Sequence, residues 1–562
     1  MMGLQADDAR SVILVCKNTS EWLNQVQDMV MLAMSDAATV KVFVGRWGMI
    51  RKKLEQLPSQ FSKLQEISGH VNNALCNELL HSISKTLVET RDLAERCIEE
   101  AFGGKLLMQS SLDALALKLH LHVQECELLV KSGVVRESSV ARPSSGGAAK
   151  ENVKLIIRDL LARIQIGSVE SKLKAMEALV QLIDEDDKNV LIVASQETGI
   201  SSLVHLLDSG MNALREKAAA AVYRLSQIDS CEQLLVTEGA LSSLVRIIES
   251  GSSCSKEKAA LALKNLTCTS ENAIAVLAHG GAAALLETCQ TGTPAAQAAA
   301  VGTIRNLASL SQVQLSVAEE GAIPVLVGLV TSGTPLAQEY ACDALMSLAS
   351  SDEILRQAII MESAIQALIM YYDTTPSPKG KEVAMGALSN LAASETNIEE
   401  LLTTGFLLHL VFALKSGLVI EQQFAASAVC HLARSVEIRK LLGSAGCIPP
   451  LIRMLEGKTI MSQDLAAQAI FNLISIDGNR RVFCKEERSI ARVVQLLDVS
   501  SSAAKRYPIS LLLCVAGKKK CRKQMVAAGA SIHLVKLVET EHGARKLLDR
   551  VEGGKMWNLF KA

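Results

Sequence analysis

The stretch GAIPVLVGLV, residues 321–330, opens on glycine, places a proline three residues later, and otherwise runs almost wholly apolar. Water would be a poor solvent for such a face, so a neighbouring segment must cover it. The same cassette returns as GISSLVHLLDSG from 199, GALSSLVRIIESG from 239, GAAALLETCQTG from 281, SAIQALIMYYD from 363, GFLLHLVFALKSG from 405, GCIPPLIRMLEG from 446, RSIARVVQLLD from 488 and GASIHLVKLVE from 529. Counting the copy at 321, successive starts lie 40, 42, 40, 42, 42, 41, 42 and 41 residues apart. A period this regular means stacked supersecondary units, each covering its neighbour's apolar face.

A second pattern follows each cassette, seen as KEKAALALKNL (256–266), AQAAAVGTIRNL (296–307), GKEVAMGALSNL (380–391) and QDLAAQAIFNL (463–473). Taking the residue before the final leucine as position zero, position −2 holds Val222, Leu263, Ile304, Leu345, Leu388, Val429, Ile470 and Leu512. That apolar column belongs in a shared core. Positions −6 and −5 are mostly Ala or another modest side chain, as in Ala218 and Ala219, Ala259 and Ala260, Ala425 and Ala426, and Ala466 and Ala467, which lets helices approach closely. The glycine of the cassette suits a left-handed residue closing one helix before the next begins. Pro324 and Pro449 fall in the first turn of the following helix, where a missing N–H has no intrahelical partner to lose.

Working outward, GVVRESSVARPSSGGAAK (133–150) is rich in Ser, Gly and Pro without apolar periodicity and reads as a linker. Before it, helical spacing covers roughly 9–34, 37–66, 68–103 and 108–132, which predicts a bundle of four or slightly more helices over residues 1–132. In the last stretch Leu115, Leu117, Leu119, Leu121 and Val123 alternate as a strand would. Leu112, Leu115, Leu119, Val123, Cys126 and Val130 step by three and four, and this longer stripe favours helix. Ser111 is the expected N-cap, and the leucines of a second face predict burial on most sides. The repeats then occupy 151–562, with a degenerate first unit at 151–198.

Composition narrows the function. Lys and Arg total 58 against 59 Asp and Glu, so no bulk charge draws the chain to nucleic acid. The 14 cysteines are scattered without a CxxC pair, and the start, MMGLQADDAR, is no signal sequence, so a cytoplasmic or nuclear location is expected. No apolar run reaches the length of a membrane span. Neither GxxxxGK[ST], HExxH nor GxSxG occurs. His120 and His122 point to different helix faces, and AHGGAAA (278–284) sits at a repeat boundary without a nucleophile. Asp7 stands where an N-myristoylation signal would carry Ser or Thr. The expectation is no enzyme, catalytic residue, cofactor, metal or small-molecule substrate, and no stable membrane insertion.

The period, the GxIPxLVxLL cassette and the AAxALxNL helix together resemble armadillo repeats over residues 199–562. The N-terminal bundle and the ending GGKMWNLF (553–560) resemble a group of plant armadillo proteins whose N-terminal domain is similar to that preceding U-boxes in plant U-box ligases. No U-box fits in the short linker. The resemblance implies an all-α fold, a helical bundle followed by a right-handed α-solenoid of about nine to ten repeats. It also implies a concave groove built from third helices, in which an Asn at position zero bonds the backbone of a partner's extended segment. The matching positions hold Asn265, Asn306, Asn390 and Asn472, while Arg224, Ser347, His431 and Cys514 depart, so the ladder is incomplete; the expected partner-binding groove residues are the four asparagines with Arg224, Ser347 and His431. Where importin alpha carries Trp at position −4, this chain has Leu261, Gly302, Gly386 and Gln468, which argues against binding a nuclear localisation signal by that mechanism.

The resulting expectation is a scaffold binding extended or helical segments of other proteins. An adaptor recruiting ubiquitylation machinery and a peripheral membrane-trafficking scaffold stand as alternatives. Position −8 is acidic in Glu216, Glu257, Glu339, Glu382 and Asp464, either as an acidic lip or, more simply, as first-turn complements to the helix dipole. KKKCRK (518–523) is either a localisation or anion-binding patch or, more simply, the solvated end of a helix where cations suit the carbonyl dipole.

Overall fold

The computed structural model describes residues 19–68, 74–101, 103–132, 148–498 and 504–552, and among these the chain is helical with no strand. It divides into two compact units, residues 1–262 and 263–562.

The first unit opens with five helices, Thr19–Thr39, Val44–Leu54, Leu57–Ser68, Ala74–Ile98 and Lys105–Ser132. Leu23, Val26, Trp47, Ile50, Phe61, Leu80, Leu87, Leu115 and Leu119 meet in their common core. The single helix expected over 37–66 is two, because Pro58 has no N–H to give Leu54 and the chain restarts at Leu57. Lys105–Ser132 is one continuous helix carrying the expected buried stripe. Ser111 lies inside it and donates to Leu107 O (3.0 Å), so it is not an N-cap. Leu117 and Leu121 are 60% and 47% exposed, which corrects the expectation of burial on most sides. His122 bonds Thr86 (2.9 Å) and Glu125 (2.8 Å) while His120 meets Lys53 (3.1 Å), as two faces of one helix require.

The bundle's core does not close at Ser132. Ala162 and Ile166, from the helix Ala148–Ile166, are buried in the same cluster. That helix begins within the expected linker, of which residues 133–147 lie outside the described residues, as do residues 9–18 of the first expected helix and the ending at 553–560.

Repeats of three helices follow. The third helices are Asn212–Leu225, Ser253–Leu266, Pro294–Ala308, Pro335–Ser351, Pro378–Leu391, Val419–Leu432, Ile460–Leu473 and Arg506–Val515. The whole −2 column is buried, and so are the paired alanines. Each second helix from Ala240 onward is entered through one left-handed residue: Gly239, Gly280, Gly321, Ser363, Gly405, Gly446, Arg488 and Gly529, with φ from 59° to 93°. The structural mark in the third cassette is thus Gly280 rather than Gly281. Gly199 is not left-handed; it is needed because a Cβ there would collide with Val193 O. No single helix among the described residues is both long and apolar enough to cross a membrane.

Candidate functional site

Four of the eight side chains at position zero, those of Arg224, Asn306, Asn390 and His431, turn toward the preceding repeat. Asn306 Nδ2 donates to Lys264 O (3.0 Å) and Thr267 Oγ1 (3.1 Å), its Oδ1 accepts from Arg305 (2.8 Å), and only 7% of the residue is exposed. Asn390 Nδ2 donates to Met346 O (2.8 Å), and His431 Nδ1 donates to Ser389 O (2.9 Å). In the first unit Arg224 donates to Ile183 O (3.0 Å) and pairs with Asp184 (2.9 Å) and Asp187 (3.1 Å). Arg550, on the final helix Ala544–Glu552, repeats the move onto Leu513 O (3.3 Å).

For Asn306, Asn390, His431 and Arg550, the acceptor is the carbonyl one residue before position zero of the preceding third helix. Lys264, Ser389 and Leu513 lie in last turns, whose carbonyls lack intrahelical partners. The column therefore ties one repeat to the next. Ser347 bonds Asp343 O within its own helix (3.0 Å), and Asn265, half-buried, is also engaged. The side-chain amide of Asn472 is half-exposed and makes no hydrogen bond among the described residues; its backbone carbonyl accepts from Ser475 (2.9 Å).

A second row, at positions −1 and −7, carries half-buried aromatic and cationic side chains on several of the third helices. Tyr340 receives Arg305 at 5.2 Å and Lys264 at 5.9 Å from its ring centroid. Phe471 and Tyr507 pair at 6.0 Å, and in the first unit Lys258 lies 5.6 Å from the Tyr223 ring. The glycines at position −4 are not open slots. A Cβ on Gly302 would stand 2.9 Å from Lys264 Cδ and 3.2 Å from Tyr340, and one on Gly386 would collide with Met346 beneath Phe424. Long side chains from adjacent repeats thus lie across both glycines. Arg305 also approaches Asp343 (3.7 Å); burial raises that carboxyl's pKa, with Arg305 opposing. Burial lowers the His431 imidazole, with the Ser389 carbonyl opposing.

The acids at −8 sit in the second turn of their helices, so the first-turn dipole reading is corrected. Glu216 accepts from Ser252 Oγ (2.6 Å), Glu339 from Ser377 Oγ (2.8 Å) and Asp464 from Ala504 N (3.1 Å). Each acceptor reaches the start of the next third helix and adds a second inter-repeat tie. Glu382 meets Lys379 (3.6 Å) and Glu257 meets Lys258 (3.8 Å). KKKCRK straddles the start of Lys519–Ala527, where the dipole disfavours cations, instead of a helix C-terminus.

Sequence reading missed a column of buried amides that close the third helices. Asn272 donates to Leu266 O (2.8 Å), Gln314 to Ala308 O (2.7 Å), Asn397 to Leu391 O (3.3 Å) and Asn479 to Leu473 O (3.0 Å). The signal was available as an amide seven or eight residues after position zero. Among the described residues no group of three or more His, Cys, Asp or Glu side chains could hold a metal ion.

Comparison with known proteins adds three findings. A solved structure of an engineered protein is similar to 71% of this chain and 98% of its own, with a TM-score of 0.63 and 24% identity, which shows a shared fold. Over 117 residues, 20% of this chain, the sequence is 27% identical to Protein CELLULOSE SYNTHASE INTERACTIVE 3 of Arabidopsis thaliana, and that match spans 6% of the relative's length. Residues 24–134, the helical bundle, match the family model described as Domain of unknown function (DUF7032).

Proposed function

We infer that this chain is a non-enzymatic scaffold whose repeats, of armadillo type, bind segments of partner proteins along the third helices of residues 263–562. One observation carries the reading: half-buried aromatic and cationic side chains, Arg305, Tyr340, Phe424, Phe471 and Tyr507, gather on this one face of a chain that is only 3% aromatic. Tyr, Phe and Arg are the side chains that anchor protein interfaces. The repeat fold, and the plant relative whose name records an interaction, support the same reading.

In this reading Asn306, Asn390 and His431 shape the groove by holding repeats in register, and Arg224 does the same in the first unit. Asn472 supplies an amide for a partner's backbone. The bundle with the Ala148–Ile166 helix would form a separate domain. Capture of partners by the full chain, by a Tyr340→Ala, Phe424→Ala, Tyr507→Ala variant and by Asn472→Ala tests the assignment. The triple variant should lose the captured set while keeping its helical content, with a smaller loss for Asn472→Ala. An unchanged set in the triple variant would refute the face.

A further inference from the structure

The chain is nearly neutral overall, with 58 basic and 59 acidic residues, yet residues 436–552 carry 20 Lys and Arg against 11 Asp and Glu. The excess is organised by the repeat. The first helices Val436–Ala445, Asp477–Lys485 and Lys519–Ala527 each present two consecutive cations: Arg439 with Lys440, Arg480 with Arg481, and Arg522 with Lys523. The first cation of each pair is turned inward. Arg439 donates to Ala433 O (2.8 Å), Arg480 to Ile474 O (3.2 Å) and Arg522 to Ala516 O (2.7 Å), closing the third helix just before it.

The second cation of each pair is left over. Lys440, Arg481 and Lys523 are exposed and make no ion pair or hydrogen bond among the described residues, as do Lys485, Lys519 and Lys520 on the same helices. The rows adjoin. Asn479 donates to Arg439 O (2.7 Å) between the first two helices, and Cys521 lies 3.6 Å from Cys484 between the last two. At the usual spacing of packed helices the three rows span roughly 20 Å. Beside the cations stand apolar side chains with no cover: Leu441, 42% exposed, Val482, 37%, and Val526, 54%.

We propose that this basic first-helix face binds the surface of an anionic lipid membrane. Phosphate and carboxylate headgroups would meet Lys440, Arg481 and Lys523, and Leu441, Val482 and Val526 would enter the boundary just beneath them. The apolar side chains decide between polyanions. They gain nothing on a nucleic-acid backbone, and the one aromatic residue on the three helices, Phe483, is buried and cannot stack on a base. A bound surface of this kind leaves the third-helix face free for protein partners.

The test is flotation of the full chain with vesicles of phosphatidylcholine alone or with one-third phosphatidylserine, at physiological and at high salt. Binding should require phosphatidylserine and fall away at high salt as charges are screened. A Lys440→Glu, Arg481→Glu, Lys523→Glu variant should bind more than about tenfold more weakly, and a Leu441→Ser, Val482→Ser variant should also weaken. Lys41→Glu, Lys105→Glu, Lys415→Glu, with the same change in charge elsewhere, should bind as the parent chain does. If the reversed variant loses helical content, the Gln triple replaces it and the same loss is expected. Equal binding to both vesicles, undiminished binding by the variant, or capture by polyglutamate or single-stranded DNA without capture by vesicles would overturn the proposal.

Discussion

Within the repeats, two residues hold a backbone conformation that their side chains resist. Ser363 and Arg488 stand at φ 59° and 60°, in the column otherwise filled by glycine. A left-handed residue with a Cβ is strained, so Ser363→Gly and Arg488→Gly should each raise stability by roughly 0.5–1 kcal/mol in urea denaturation. Gly321→Ala, with no atom within 4 Å of the added carbon, should lose about 1 kcal/mol from backbone strain alone. His431 makes stability depend on pH. Its folded pKa lies below its unfolded one, so its contribution is complete above the unfolded value and is lost as pH falls from about 6.5 through the folded value. The parent chain should lose stability over that window more steeply than His431→Gln, measured by thermal melts at a series of pH values.

At the scale of the helix, the ends hold the repeats together. Asn306 serves Lys264 O and Thr267 Oγ1 at once, so Asn306→Ala should cost about 1–3 kcal/mol. Hydrogen exchange should speed up first around residues 264–268, before distant helices are affected. The position-zero residues were legible as a column in the sequence; their direction was not. An amide at the end of a helix can face a partner or the previous helix, and spacing along one chain leaves both open. The run at 518–523 shows the same limit. Five of its six residues lie in the helix that starts at Lys519, and only that boundary says which dipole the run meets.

For the molecule as a whole, stacking makes stability a sum of local terms. Leu388→Ala, in the buried −2 column, should cost about 2–5 kcal/mol and spread unfolding over a broader transition, with early loss of protection in residues 378–432. A single sharp transition, merely shifted, would argue against quasi-independent repeats. By itself the sequence determined the helical class, the 40–42 residue period, the buried columns and the N-terminal helical region, because periodic burial is written residue by residue. Only the tertiary structure decided that Leu117 and Leu121 stay exposed, that Ala162 and Ile166 join the bundle, and that Lys264 and Tyr340 lie across Gly302. Those outcomes depend on which neighbour arrives at a given face, and a neighbour some forty residues away along the chain leaves no local mark.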